Sequence, residues 1–250
     1  MRSVREFTER RFLNLGENML KNNLKYITYP VLFLLFFSGS ILGTLIEGIF
    51  CLIRYGRWET HTVTLWGPFC IIYGLGAVSL YIGTVLFGHL HWALQFILFA
   101  AIATVIEYLC GAVLKYGLRM KAWDYSRSRF NLHGLVCLKM TLAWGALGVL
   151  FSLFCVPHIQ AFAPYLDLFP VKIVCICLSV LMAVNLFITM LRIRRWSKRH
   201  FGFPPRNDLE KYIDRTCPDE RMAKRFCEWR FIEDSGCPHT SAGQDKIQNL

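Results

Sequence analysis

The sequence predicts an all-α fold: a polytopic transmembrane helical bundle of about five spans, with a parallel internal repeat of two-span units. Three observations carry this expectation. Hydrophobic residues fill 54% of 250 positions and charged ones 18%, at a mean hydropathy of +0.38, which is too apolar for a soluble domain unless long segments sit in lipid. Apolar runs near 29–53, 65–88, 91–114, 134–156 and 170–192 each approach the roughly 20 residues a helix needs to cross a hydrocarbon core. Two of the segments that enclose these runs also resemble each other.

Residues 1–28 carry six Lys/Arg against three Glu. Val4, Phe7, Phe12, Leu15, Met19, Leu24 and Ile27 give them a loose apolar stripe, which predicts a basic amphipathic segment at the membrane interface. The first run, 29–53, begins late and contains Glu47, so it reads as a retained span rather than a secretory signal. The membrane domain then covers 29–192, with repeat units at 29–88 and 91–156 and a last span at 170–192. A basic tail, 193–250, follows.

Connections 54–64 and 115–133 and the segment 192–206 hold two, five and six Lys/Arg, whereas 89–90 and 157–169 hold none. The positive-inside rule therefore puts the basic segments and the C-terminus in the cytoplasm of a cell-membrane protein. Five spans then leave the N-terminus outside. The basic residues of 1–28 oppose that arrangement: either they form an interfacial helix on the outer face, or the span count differs by one. Of the ten cysteines, Cys51, Cys70, Cys110, Cys137, Cys155, Cys175 and Cys177 fall within the apolar runs, which argues for free thiols rather than a disulfide framework.

In the repeat, residues 43–67 lie on 103–134. Gly43 precedes Glu47 by four positions as Ala103 precedes Glu107, basic residues end both spans, Trp58-Glu59 corresponds to Trp123-Asp124, and Gly67 and Gly134 open the next spans. Two spans per unit give both copies the same orientation. Glu47 lies seven residues before Arg54 and Glu107 eight before Lys115, so both carboxylates fall about 10 Å below one membrane boundary.

A charge in mid-bilayer costs roughly 2.5–3.5 kcal/mol even on lenient scales, so these glutamates should face the bundle interior. Gly39, Gly43 and Glu47 share one helix face, and Ala103, Glu107 and Gly111 another. Small residues on such faces let helices approach closely. Tyr73, Lys139 and Asn185 sit at matching depth on the remaining spans. The expected site is thus a cytoplasm-facing polar cavity of Glu47, Tyr73, Glu107, Lys139 and Asn185, with the Lys139 ammonium between the carboxylates. A structural polar network is the alternative reading of the same residues.

The combination of Glu47, "GPFCIIYGLGAV" (67–78), "EYLCG" (107–111), "WDYS" (123–126) and "NLHG" (131–134) resembles the ABC-transporter permease (type IV) family of small multi-pass membrane proteins, over about residues 30–150. The resemblance implies family positions at Gly67, Pro68, Gly74, Gly76, Tyr108, Trp123, Asp124, Tyr125, Ser126, Asn131, Gly134 and Trp144, besides Glu47, Tyr73 and Glu107. The chain departs from the pattern at "HTVTLWG", where relatives carry Asn-Arg-Gly, and at Ile71, where a proline is usual. It also implies a separate ATPase subunit, since the sequence has no G-x-x-x-x-G-K-[ST] phosphate loop.

Gly67, Pro68, Gly74 and Gly76 either unwind the second span to line a cavity or pack against a neighbouring helix. Trp123 and Tyr125 also fit an interfacial belt, and Asp124 a helix cap. No cofactor or metal is expected: His89 and His91 lack a companion ligand, and Cys217, Cys227, Cys237 and His239 match no standard zinc spacing. Residues 207–232 read as a short helix near anionic headgroups, and 240–250 as disordered. Membrane lipid is the expected partner, with a second copy of the chain a further candidate; nucleic acid is not. The leading reading is a permease-like transporter. A lipid-headgroup enzyme using Glu107, Asp124 and His133, and a non-catalytic scaffold, are the alternatives.

Overall fold

A computed structural model describes residues 24–56, 58 and 62–232. The expected N-terminal amphipathic segment lies almost wholly outside the described residues, as do Glu59, Cys237, His239 and the end of the tail. Pro30, pre-set for a helical first turn, starts α1 (Tyr29–Tyr55), which ends where Gly56 turns left-handed at φ 69° and returns its N–H to the Leu52 carbonyl. Then come α2 (Ile71–Phe87) and α3 (Trp92–Ala112), the latter continued by a π-helical turn, Val113–Gly117. Next, α4 (Leu138–Leu150), a second π turn (Phe151–Cys155) and α5 (Val156–Leu166) form one rod, followed by α6 (Phe169–His200).

Among the described residues, four helical segments are long and apolar enough to cross a membrane: Tyr29–Arg54, Trp92–Gly117, Leu138–Leu166 and Phe169–His200. The expected second span, 65–88, is shortened to the 17 residues of α2, because 62–70 forms a turn-rich connection instead. Large apolar side chains such as Ile53, Ile97, Phe154, Leu181 and Phe187 stay exposed. That is the outer surface of a bundle that meets lipid rather than water. The fourth run was expected to stop at 156, before Pro157. The rod continues to Leu166 instead, and the π turn that ends at Cys155, two residues before Pro157, accommodates a residue that has no N–H to give to the ladder.

The helices pair as α1 with α2 and α3 with α4. Close approach explains the glycines. A Cβ at Gly43 would enter the Tyr73 ring, and one at Gly74 would meet Ser40 Oγ and Phe36. Gly74 and Gly76 both lie within the continuous helix α2 rather than in an unwound stretch, although a Cβ at Gly76 would meet nothing. On the second pair, Gly145 and Gly148 of α4 leave room for Phe96 and Phe99 of α3, and Thr104 and Thr141 share a 2.8 Å hydrogen bond.

The turns entering α2 and α4 are built alike. Gly67 and Gly134 have φ 77° and 72°, conformations costly to residues with a Cβ. Each lies four residues before its helix, and the caps Cys70 and Cys137 are both extended and buried. Glu47 stands nine residues before Gly56 and Glu107 ten before Gly117. The helix carrying Glu107 ends in the π turn Val113–Gly117, whereas the one carrying Glu47 ends at the left-handed Gly56.

The tail folds as α7 (Asp208–Thr216), α8 (Asp219–Arg225) and strand β4 (Arg230–Phe231), rather than one helix over 207–232, because Pro218 interrupts it. Strand β4 pairs antiparallel with β1 (Met120–Lys121), and β2 (Asn131–Leu132) pairs with β3 (Val136–Cys137). Leu118, Met120, Ile193, Trp196, Ile213, Met222, Phe226 and Phe231 form a buried core joining the 115–133 connection, the end of α6 and the tail. Helix α6 runs eight residues past its expected end to supply that core. Arg225 donates to the carbonyls of Thr64 and Gly67, fastening the tail to the 62–70 connection as well.

Candidate functional site

A cavity of about 670 Å³ lies among the helices where the 62–70 connection, the 115–133 connection and the tail converge. Helix α1 supplies Glu47, α2 Ile72 and Tyr73, α3 Glu107 and Cys110, α4 Met140 and Trp144, and α6 Met190; Trp123 and Tyr125 come from the 115–133 connection and Trp229 from the tail. Aliphatic residues such as Leu109, Val113 and Leu147 complete it. The lining is thus mainly apolar and aromatic with two carboxylates, rather than broadly polar as expected.

Glu107 is the most constrained group, at 4% exposure. The Tyr125 hydroxyl donates to its Oε1 at 3.1 Å and the Trp144 indole N–H to its Oε2 at 3.1 Å. Both donors are neutral. Burial and the adjacent Glu107 carboxylate hold the Tyr125 hydroxyl protonated, well above the usual phenol range. On the first helix pair Tyr73 and the half-buried Glu47 both face the cavity.

The family residues of the 115–133 connection form a scaffold that aims Trp123 and Tyr125. Asp124 Oδ1 accepts from the Ser126 backbone N–H at 2.9 Å and from the Ser126 hydroxyl, and its Oδ2 accepts from Lys121 at 2.8 Å. Although its partial burial opposes ionisation, the bonds from Lys121 and Ser126 hold the Asp124 carboxyl below the usual range. The Asn131 amide donates to the carbonyls of Ser126 and Ser128 while its Oδ1 accepts from the Gly134 N–H; the Tyr125 N–H returns to the Gly134 carbonyl at 2.8 Å. The Trp123 indole donates to the Leu135 carbonyl, and Lys115 to that of His133. A side chain at Gly134 would strike Ser126 and Asp124. Trp123 and Tyr125 are therefore cavity residues rather than belt aromatics, and Asp124 is a turn anchor rather than a helix cap.

Of the five residues expected to cluster, Glu47, Tyr73 and Glu107 come together. Lys139 does not: it is exposed, on a face of α4 turned about 100° from Met140. Asn185 is buried outside the lining, where its amide donates to the Trp66 carbonyl at 2.9 Å and Thr189, one turn on, accepts from the Leu65 N–H. The pair positions the 62–70 connection, and Met190 is what α6 presents to the cavity. Neither Asp124 nor His133 lines it; His133 hydrogen-bonds Tyr108 at 3.0 Å. Gly67 offers its carbonyl to Arg225, and Pro68 is exposed beside it. Sequence reasoning left Trp144 without a partner, though an indole N–H inside an apolar helix signals that one is needed. Trp229 carried no such signal.

The long apolar helices, with a cavity open among them, define a multi-pass membrane protein. The family comparison makes the class specific: the chain belongs to the family described as putative ABC-transporter type IV, whose model matches residues 34–190, beyond the 30–150 expected from motifs. The tail, and with it Trp229, lies outside that match. No curated protein and no solved structure matches the chain.

Proposed function

We propose that this protein is the membrane component of a transport system and that its cavity binds a positively charged solute or coupling ion through Glu47 and Glu107. The observation that carries the reading is Glu107, a carboxylate buried among membrane helices and held by two neutral donors beside a cavity large enough for a small molecule. The similar turns before α2 and α4 support a parallel repeat in which the two hairpins each supply one glutamate. The basic connections and tail, gathered at one end of the bundle, support a cytoplasmic C-terminus in the cell membrane and a cavity near that face. ATP hydrolysis would come from a separate subunit.

Glu47→Gln and Glu107→Gln test the reading in a solute-transport assay on intact cells, where the full chain works with its own partner subunits. Each variant is expected to lose at least about tenfold of transport rate, the equivalent of 1.4 kcal/mol, while eluting as the folded protein in detergent. Wild-type transport by both would contradict it.

A further inference from the structure

The cavity's walls narrow the class of solute. A hard inorganic cation binds in a compact cage of six or more oxygens, whereas the side chains here offer the carboxylates of Glu47 and Glu107 and the hydroxyls of Tyr73 and Tyr125 around about 670 Å³. Those six oxygens are not gathered into such a cage: among the described residues no three His, Cys, Asp or Glu side chains come together to hold a metal ion. The volume falls in the range that suits a drug-sized molecule, and such molecules are recognised by apolar walls with a few fixed polar groups. Tyr73, Trp123, Tyr125 and Trp144 present aromatic rings beside the carboxylates, and aromatic rings attract organic cations through their quadrupoles. Among the described residues no Lys, Arg or His lines the cavity, so none of them sets a positive charge on its wall against an ammonium.

Building on the transport reading, we infer that the cavity accepts a lipophilic organic cation, its charge beside Glu107 and Glu47 and its apolar body against the four rings.

The test uses tetraphenylphosphonium and tetraphenylborate, which share shape and hydrophobicity and differ in the sign of charge. Each is measured by equilibrium dialysis against the full chain in lipid nanodiscs, with empty nanodiscs subtracted. The phosphonium is expected to bind saturably and at least about tenfold tighter than the borate, with Glu107→Gln weakening it about tenfold. In that variant the amide oxygen can accept from the Trp144 indole while the amide NH2 donates to the Tyr125 hydroxyl, so the site keeps its hydrogen bonds without the charge. Tyr125→Leu is expected to bind about threefold to tenfold more weakly than Tyr125→Phe, which loses the same hydroxyl but keeps the ring. Equal binding of phosphonium and borate overturns the inference, because apolar area alone would then select the occupant. Absence of phosphonium binding, with Glu107-dependent uptake of sodium or protons intact, overturns it while leaving the transport reading standing. Absence of any Glu107-dependent cation binding or uptake defeats both.

Discussion

At the residue scale, the cost of placing a carboxylate in hydrocarbon is what made Glu47 and Glu107 legible in the sequence. Their partners were less so. Lys139 and Asn185 were matched to them by depth along each span, but contact also needs the right face of the helix, and 100° per residue turns each away from the cavity. Tyr125 reaches Glu107 only because a connection of irregular backbone folds back over α3, which helical periodicity cannot describe. Trp144→Phe keeps the ring and removes one of the two donors to Glu107. It should destabilise the protein by about 1–3 kcal/mol, the cost of leaving a buried polar acceptor short of a bond. A lowered melting temperature in detergent checks this; an unchanged one would show that the indole N–H is dispensable.

Among the elements, the apolar runs fixed where the helices lie, and Gly67 and Gly134 marked the entrances to α2 and α4. Ends were read less well. Pro157 signalled a stop, yet the π turn before it carries the rod on to Leu166. Pro68 and the Thr-rich 62–64 stretch shortened α2, because a connection anchored by Asn185, Thr189 and Arg225 is satisfied outside a helix. The 115–133 connection is the element on which the cavity most depends. Gly134→Ala places a Cβ at φ 72° and against Ser126 and Asp124. The left-handed backbone and the collision together should cost about 2 kcal/mol or more. Intrinsic fluorescence should report loosening of Trp123, and solute binding should fall even though no cavity residue has changed. Gly43→Ala acts differently, forcing Tyr73 aside and separating α1 from α2, which a lowered melting temperature would register.

At the scale of the whole molecule, the charge pattern forecast that the basic segments share one end, and there they interlock. That the tail forms a small core and lends Trp229 to the cavity was hidden, since α7 and α8 are short and their apolar residues look scattered until Met120 and Trp196 are beside them. Ion pairs reinforce the attachment: the buried Arg195 donates to both oxygens of Asp214 at 2.8 and 2.7 Å, and Lys198 to Glu210 at 2.9 Å. The bond from Arg195 holds the Asp214 carboxyl below its usual value near 3.8, and that from Lys198 holds Glu210 below 4.5. A carboxyl depressed in the folded state stabilises fully above its usual value and loses that contribution as pH falls through the depressed one. Tail docking should therefore be constant at neutral pH and weaken below about pH 4, seen as protease sensitivity near residues 201–207. The most direct test of the central claim, one interior cavity shared by Glu47 and Glu107, is labelling with dicyclohexylcarbodiimide, an apolar reagent for carboxyls shielded from water, read by peptide mass spectrometry. Both glutamates should be modified, and tetraphenylphosphonium should protect both over the same concentration range; protection of one without the other, or of neither, would contradict a shared cavity.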